Sequence, residues 1–247
     1  MLVKSQVKYI QSLSQKKFRE EEGVFVAEGP KIINELLAAS NIDIKQLFAT
    51  ESWIGVHRTL YSSLGPDIIT QIDNKELERI SFLTTPNEVL GIFKKPSFKT
   101  PVIAKACISL LLDSIQDPGN LGTILRCADW FGITQIICSE ECADIFSTKV
   151  VQSSMGSISR VQVLYTDPDV FLKKNSDVPV YAALLEGKNF YDYPKIKEGI
   201  IIVGNESKGI RSSLISEGIH KLTIPRKGHA ESLNAAVATG IILSHLT

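Results

Sequence analysis

Three short stretches of the chain gather amides, a carboxylate, an arginine and glycines at spacings suited to holding a polar or anionic ligand. The first is Asp117-Pro118-Gly119-Asn120-Leu121-Gly122, which feeds a helix with Leu121, Leu125 and Ala128 on its apolar face and Gly132 placed to end it. Asn120 is placed to cap that helix by accepting a backbone N–H. Arg126, one and a half turns in and flanked by Leu125 and Cys127, is expected to point along a cleft wall toward an anion. The second stretch, Gly204-Asn205-Glu206-Ser207-Lys208-Gly209, follows apolar Ile200–Val203. Its terminal glycines allow a sharp turn and leave N–H groups for a ligand. It lacks the Lys-Ser/Thr ending of a nucleotide-hydrolase phosphate loop, and Gly187-Lys188 fails the same test. The third runs from Ile224-Pro225-Arg226-Lys227-Gly228 to Ser232-Leu233-Asn234 and into Ala235–Leu246, with Ser232 or Asn234 as the helix cap. His229 sits in this loop as a single histidine and reads as a bystander.

No Ser-His-Asp order, paired carboxylates or GxGxxG after a strand appears, which argues against hydrolases and nicotinamide dehydrogenases. Cys107, Cys127, Cys138 and Cys142 form no CxxC pair, so their spacing gives no zinc-site signature and no metal is expected. Lys+Arg and Asp+Glu both number 27, so a nucleic-acid partner would have to be met by local charge patterning. Such a pattern exists from Met1 to Arg19, where Lys4, Lys8, Lys16, Lys17 and Arg19 occur without an acid before Glu20-Glu21-Glu22. This stretch is expected to be a solvated helix with a basic face able to touch phosphates. Lys4, Gln6 and Lys8 interrupt any signal-peptide core, and no run approaches membrane-spanning length. A cytoplasmic protein is expected.

The elements that must position these loops are legible from periodicity. Strands are expected at Phe25–Glu28, Gln46–Ala49, Asp67–Gln71 and Val89–Phe93, with helices between them such as Asn74–Ile80, giving a small α/β domain over residues 1–94. Residues 95–104 carry two prolines and read as a linker. From residue 105 to 247, continuous apolar strands at Ala106–Leu112, Gln135–Cys138, Val161–Leu164, Val180–Ala183, Gly199–Val203 and Leu222–Ile224 indicate a mostly parallel α/β sheet. Ligands collect at the carboxyl ends of such strands. The helix Ala235–Leu246 is apolar almost all round, so this chain or a second subunit must cover it.

Taken together the three loops resemble the signature motifs of the SpoU (TrmH-like) branch of the SPOUT methyltransferases. The matching residues are Asn120, Gly122, Arg126, Ala128, Phe131 and Gly132, then Gly204-Asn205-Glu206 and Gly209, then Ile224-Pro225, Gly228, Ser232-Leu233-Asn234 and Val237-Ala238. Phe25–Gly29 and its following helix look like the ribosomal-protein-like substrate domain of that branch. The resemblance implies a C-terminal trefoil knot, a homodimer packed through it, and S-adenosylmethionine held by Leu184, Gly204, Ile224 and Leu233. It implies that Arg126 binds an RNA phosphate in the partner's site and helps deprotonate a ribose 2′-hydroxyl. Asn120 and Asn234 would orient the nucleophile and local backbone, and Glu206 and Ser232 would organise the site. Ribosomal RNA is favoured over transfer RNA. Arg226, Ala235 and Ser207 depart from the motifs, which usually have methionine, a branched aliphatic residue and often glycine there. A catalytically silent RNA-binding protein and a SPOUT base methyltransferase are the alternatives.

Overall fold

The computed structural model describes residues 2–64, 66–99 and 102–247; Met1, and Thr100 and Pro101 of the expected linker, lie outside them. In chain order the elements are α1 (Lys4–Ser12), α2 (Lys16–Glu22), β1 (Val24–Glu28), α3 (Pro30–Ala38), β2 (Ile44–Ala49), α4 (Glu51–Val56), α5 (Arg58–Leu64), β3 (Ile69–Gln71), α6 (Asn74–Ile80) and β4 (Val89–Lys94). They continue as β5 (Ile108–Asp113), α7 (Pro118–Trp130), β6 (Gln135–Cys138), α8 (Thr148–Ser154), β7 (Gln162–Tyr165), α9 (Pro168–Lys174), β8 (Val180–Asn189), β9 (Gly199–Gly204), β10 (His220–Thr223) and α10 (Ala235–Leu246). Two units emerge: Met1–Phe98 with Phe146–Ser159, and Lys99–Ile145 with Arg160–Thr247. No helix among the described residues is long and apolar enough to cross a membrane.

In the first unit β4 lies antiparallel between β1 and β2, and β3 adds parallel to β2. All five residues of β1 are buried, and Val24 and Val26 join Ile10, Leu13, Phe48 and Leu90 in one apolar cluster. The expected single basic helix is two helices. The chain breaks at Leu13–Gln15, and Arg19, only 2% exposed, turns inward to donate from Nη1 to the carbonyls of Leu13 and Ser14, each at 2.7 Å. Carbonyls freed at a helix end need donors, and Arg19 supplies them, so it leaves the phosphate-touching face on which the spacing placed it. Lys16 and Lys17 stay exposed beside Glu20 and Glu21 at 3.7 and 3.8 Å, pairs worth at most about 1 kcal/mol. Residues 146–159 also belong to this unit. Phe146 sits 5.4 Å from the Phe25 ring, and Asn41 donates to the Ser159 carbonyl at 2.8 Å.

Glu28 is the acid inside this core, 4% exposed, accepting from Phe82 N at 2.8 Å and Ser81 Oγ at 2.5 Å. Burial pushes its carboxyl above the ordinary 4.5, outweighing the two hydrogen bonds. The folded chain therefore holds this proton more tightly than the unfolded chain. Its contribution to stability is complete below about pH 4.5 and is lost as pH rises through the folded value. Glu28→Gln should remove that slope: in chemical unfolding at several pH values, the difference from the parent will move in the variant's favour as pH rises. A difference independent of pH would refute the assignment.

The second unit holds six strands in the order β10-β8-β9-β5-β6-β7, every neighbouring pair parallel. Its core is aliphatic: Leu111, Ile137, Ala182, Ile200 and Ile202 pack with Phe171. The chain begins in mid-sheet at β5, moves outward through β6 and β7, then crosses to β8 and returns to β9 beside β5. The order thus reverses between β5 and β9, and a crevice opens at their carboxyl ends. β8 is longer than the four residues expected. Its pairing jumps from Ala182↔Lys221 to Lys188↔Leu222, so residues 183–187 leave the ladder and return.

Candidate active site

The loops after β5 and β9 meet at this crevice, fixed by groups buried beneath them. Asp113 closes β5 at 2% exposed and accepts from Arg211 N at 2.8 Å and Arg211 Nε at 2.7 Å; Arg211 Nη2 also reaches Glu141 at 3.1 Å. Immediately after β9, Asn205 Nδ2 donates to the Ser114 carbonyl at 2.9 Å. Its Oδ1 accepts from Ser207 N at 2.9 Å and Lys208 N at 3.1 Å, while its own backbone pairs both ways with Gly209. The loop is consequently a closed turn, with Gly209 at φ 69°. Gly204 must be glycine for a different reason: a Cβ there would run into the backbone of Gly209 and Ile210. From the sequence, Asn205 is a motif residue without a role, and Asp113 and Arg211 are not singled out; for Asp113 the signal is an acid directly after an apolar strand.

α7 begins with Asp117 as its cap, accepting from Asn120 N at 2.8 Å, with Pro118 in the first helical position. Asn120 is therefore not the cap expected of it, and its side chain is released for other work. A carboxylate only accepts, so Glu206 Oε1 takes the Nδ2 of Asn120 and leaves Asn120 Oδ1 to accept from Asn234 Nδ2 at 2.8 Å. Asn234 Oδ1 in turn accepts from Ala236 N and Val237 N at 3.0 and 3.2 Å, capping α10. One hydrogen-bonded line thus runs from the second loop through the first to the third. α7 ends as expected, with Gly132 left-handed at φ 72° and Ile133 N bonding back to Ala128 O at 2.8 Å.

Beside this line opens a cleft of about 730 Å³. Leu184, Gly204, Glu206, Ile224, Ser232 and Leu233, six of the nine residues expected at the site, line it. Asn120 and Asn234 join through the hydrogen bonds above. Arg126 does not: it is exposed on α7, without a partner among the described residues and away from the cleft lining. His229 is exposed in the third loop. Of the departures from the motifs, Arg226 lines the cleft and donates from Nη1 to the Ala230 carbonyl at 3.2 Å, and Ala235 is buried. Among the described residues no group of His, Cys, Asp or Glu is disposed to hold a metal. This chain itself covers most of α10, burying Ala235, Ala236, Thr239, Ile242, Leu243 and Leu246, while Val237 stays exposed.

Comparison with known proteins agrees with this geometry. The model of the SpoU rRNA Methylase family matches residues 107–244, and that of the MRM3-like substrate binding domain matches residues 4–91. The chain belongs to the SpoU rRNA methylase family. It is 30% identical to the 23S rRNA (guanosine(2553)-2′-O)-methyltransferase RlmP of Bacillus subtilis, over 97% of this chain and 95% of that one. The structure of a TrmH-family protein from Porphyromonas gingivalis superposes with a TM-score of 0.82 at 37% identity, covering 99% of this chain and 97% of the other. An AdoMet-bound rRNA methyltransferase from Sinorhizobium meliloti superposes with a TM-score of 0.84 at 31% identity, covering 98% and 94%.

The cleft's chemistry fits S-adenosylmethionine. Leu184, Ile224, Leu233 and Ile242 offer apolar wall for a purine, and the lining carboxylates Glu186, Glu206 and Glu231 complement a sulfonium and an amine. Gly204→Ala tests this directly. The added methyl must push the Gly209 backbone, at a cost of about 1–3 kcal/mol in folding. Calorimetry should then show cofactor affinity falling at least about tenfold, since the displaced turn is a wall of the cleft.

Proposed function

We propose that this protein methylates a ribose 2′-hydroxyl of structured ribosomal RNA, drawing the methyl group from S-adenosylmethionine. The observation that carries the reading is the line Glu206–Asn120–Asn234, which binds three distant loops into one wall beside a cleft of cofactor size. Residues 1–94 serve as the RNA-binding domain and residues 105–247 as the methyltransferase, threaded as a trefoil knot. S-adenosylmethionine supplies an electrophilic methyl on sulfur. Leu184, Gly204, Ile224 and Leu233 hold it, largely through backbone groups, while Glu206 and Ser232 organise the adjoining surface. Asn120 and Asn234, with both amides already oriented, fix where the nucleophilic hydroxyl sits, so that oxygen, carbon and sulfur come into line.

The hydroxyl proton leaves as the oxygen–methyl bond forms and passes to solvent water, because Arg126 is too basic to accept it unaided. Binding the neighbouring RNA phosphate, Arg126 lowers the cost of charge developing on that oxygen. It does so in the partner's site of a homodimer. Trp130 one turn along α7, with Val237 and Leu233, is a large exposed apolar group near Arg126 in sequence or at the facing helix start, and a second copy is the occupant that would cover them. The enzyme works in the cytoplasm, where ribosomes are assembled. The test is incubation with methyl-labelled S-adenosylmethionine and unmodified RNA. Label resistant to alkaline cleavage at one ribosomal nucleotide supports the reading; label on a base, or none on any RNA, overturns it.

A further inference from the structure

Charge is not spread evenly over the methyltransferase unit. Three of its cations are answered by acids: Arg160 by Asp129 at 2.9 Å, Arg211 by Asp113 and Glu141, Lys105 by Asp177 at 2.9 Å. The cleft mouth differs. Lys208, Lys221, Arg226 and Lys227 all line it and all are exposed, and among the described residues none of them has an acidic partner. Against them the cleft lining sets three carboxylates, Glu186, Glu206 and Glu231, and Glu206 accepts from Asn120. In a chain whose formal net charge is zero, four cations against three acids leave an excess of one positive charge on this lining.

Arg226 is the best defined member. Its Nη1 donates to the Ala230 carbonyl four residues on, which fixes the guanidinium across the base of the third loop. That bond uses a single one of its five N–H donors, so Nε and Nη2 remain to grip an anion. An arginine already held in place loses less side-chain freedom when it binds.

We propose that Arg226, with Lys208 and Lys227, forms a phosphate clamp that holds the RNA backbone at the mouth of the same protomer's cleft. The clamp rests on the assignment of RNA as substrate, and it is distinct from Arg126, which lies away from the cleft lining. Its ligand is a phosphodiester, and the fork of Arg226 makes the contact directional where the two lysines act as point charges. Because the usual residue of the motif at this position is methionine, the clamp is a device of this chain rather than of the shared chemistry.

The experiment compares the full-length parent with Arg226→Met, Arg226→Lys and, as a control on a paired surface cation, Lys105→Gln. The probe is an unmodified 23S ribosomal RNA transcript. RNA affinity is read across salt concentrations by filter binding, cofactor affinity by calorimetry, and methyl transfer by label. For Arg226→Met the expected result is an RNA KM raised about tenfold, with the slope of log affinity against log salt shallower by about one. Turnover at saturating RNA and cofactor affinity should stay at parental values. Arg226→Lys should restore the salt slope but only part of the affinity, and Lys105→Gln should match the parent. An unchanged salt slope in Arg226→Met overturns the clamp, as does a loss confined to cofactor affinity, which would assign Arg226 to the cofactor's carboxylate. If the parent transfers no methyl group to any RNA, the functional reading fails, whereas the binding data still decide the clamp.

Discussion

Arg126→Ala will keep its fold and its cofactor affinity and lose roughly 10²–10⁴ in turnover, the span expected when a group assisting proton transfer is removed. The fold is spared because Arg126 is exposed on α7 and makes no bond that another described residue depends on. The informative step is to mix it with Glu206→Ala, itself inactive. If Arg126 acts across a homodimer, a mixed pair contains one site with both groups intact and one with neither. Random reassortment makes half the dimers mixed, so about a quarter of parental activity should return. A mixture no more active than the sum of its parts would show that Arg126 serves its own chain, or nothing. Sedimentation of the same samples separates failure to reassort from failure to complement.

The second large effect concerns stability. Asp113 is buried, while Arg211 is a third exposed at its side chain. The two halves of the pair are therefore not equivalent. Removing Arg211 strands a carboxylate with little access to water, whereas removing Asp113 leaves a guanidinium that still has Glu141 and solvent. Arg211→Met should cost about 3 kcal/mol in urea unfolding at neutral pH, the lower end for breaking a buried pair, and Asp113→Asn clearly less. Because the pair anchors the turn after β9 to the end of β5, the same variant should also weaken cofactor binding. A cost under about 1 kcal/mol would place this pair with ordinary surface bridges.

Where burial decides the structure, the sequence was readable. Gln135–Cys138 and Asn74–Ile80 form over the residues that periodicity assigns, and the apolar runs at β5 and β9 need shifting by only one or two positions. An apolar run in the middle of a parallel sheet has little alternative. Legibility fails where a polar side chain chooses among several nearby partners. Asn120 and Asp117 are both acceptable caps, and only the chain's path past Pro118 decides for Asp117. Arg19 reads as a surface cation until the break at Leu13–Gln15 exposes carbonyls for it to satisfy. The far half of β8 was missed because residues 183–187 leave the sheet, so no alternation connects Val180–Ala183 with the pairing that resumes at Lys188. At the site, residue types pointed to most of the cleft lining, but the wiring of Asn120 to Glu206 and Asn234 is long-range geometry.

That wiring also limits how such an enzyme can change. Each of the three loops carries a side chain whose orientation is dictated by the next, and the last of them starts α10. A loop borrowed from a relative would arrive with its amide or carboxylate set for a different neighbour. Chimeras exchanging a single loop should therefore be poorer than either parent, while those exchanging all three should recover. In breeding new specificities from this scaffold, the heritable unit is the trio, and variation is better spent on the residues around its rim.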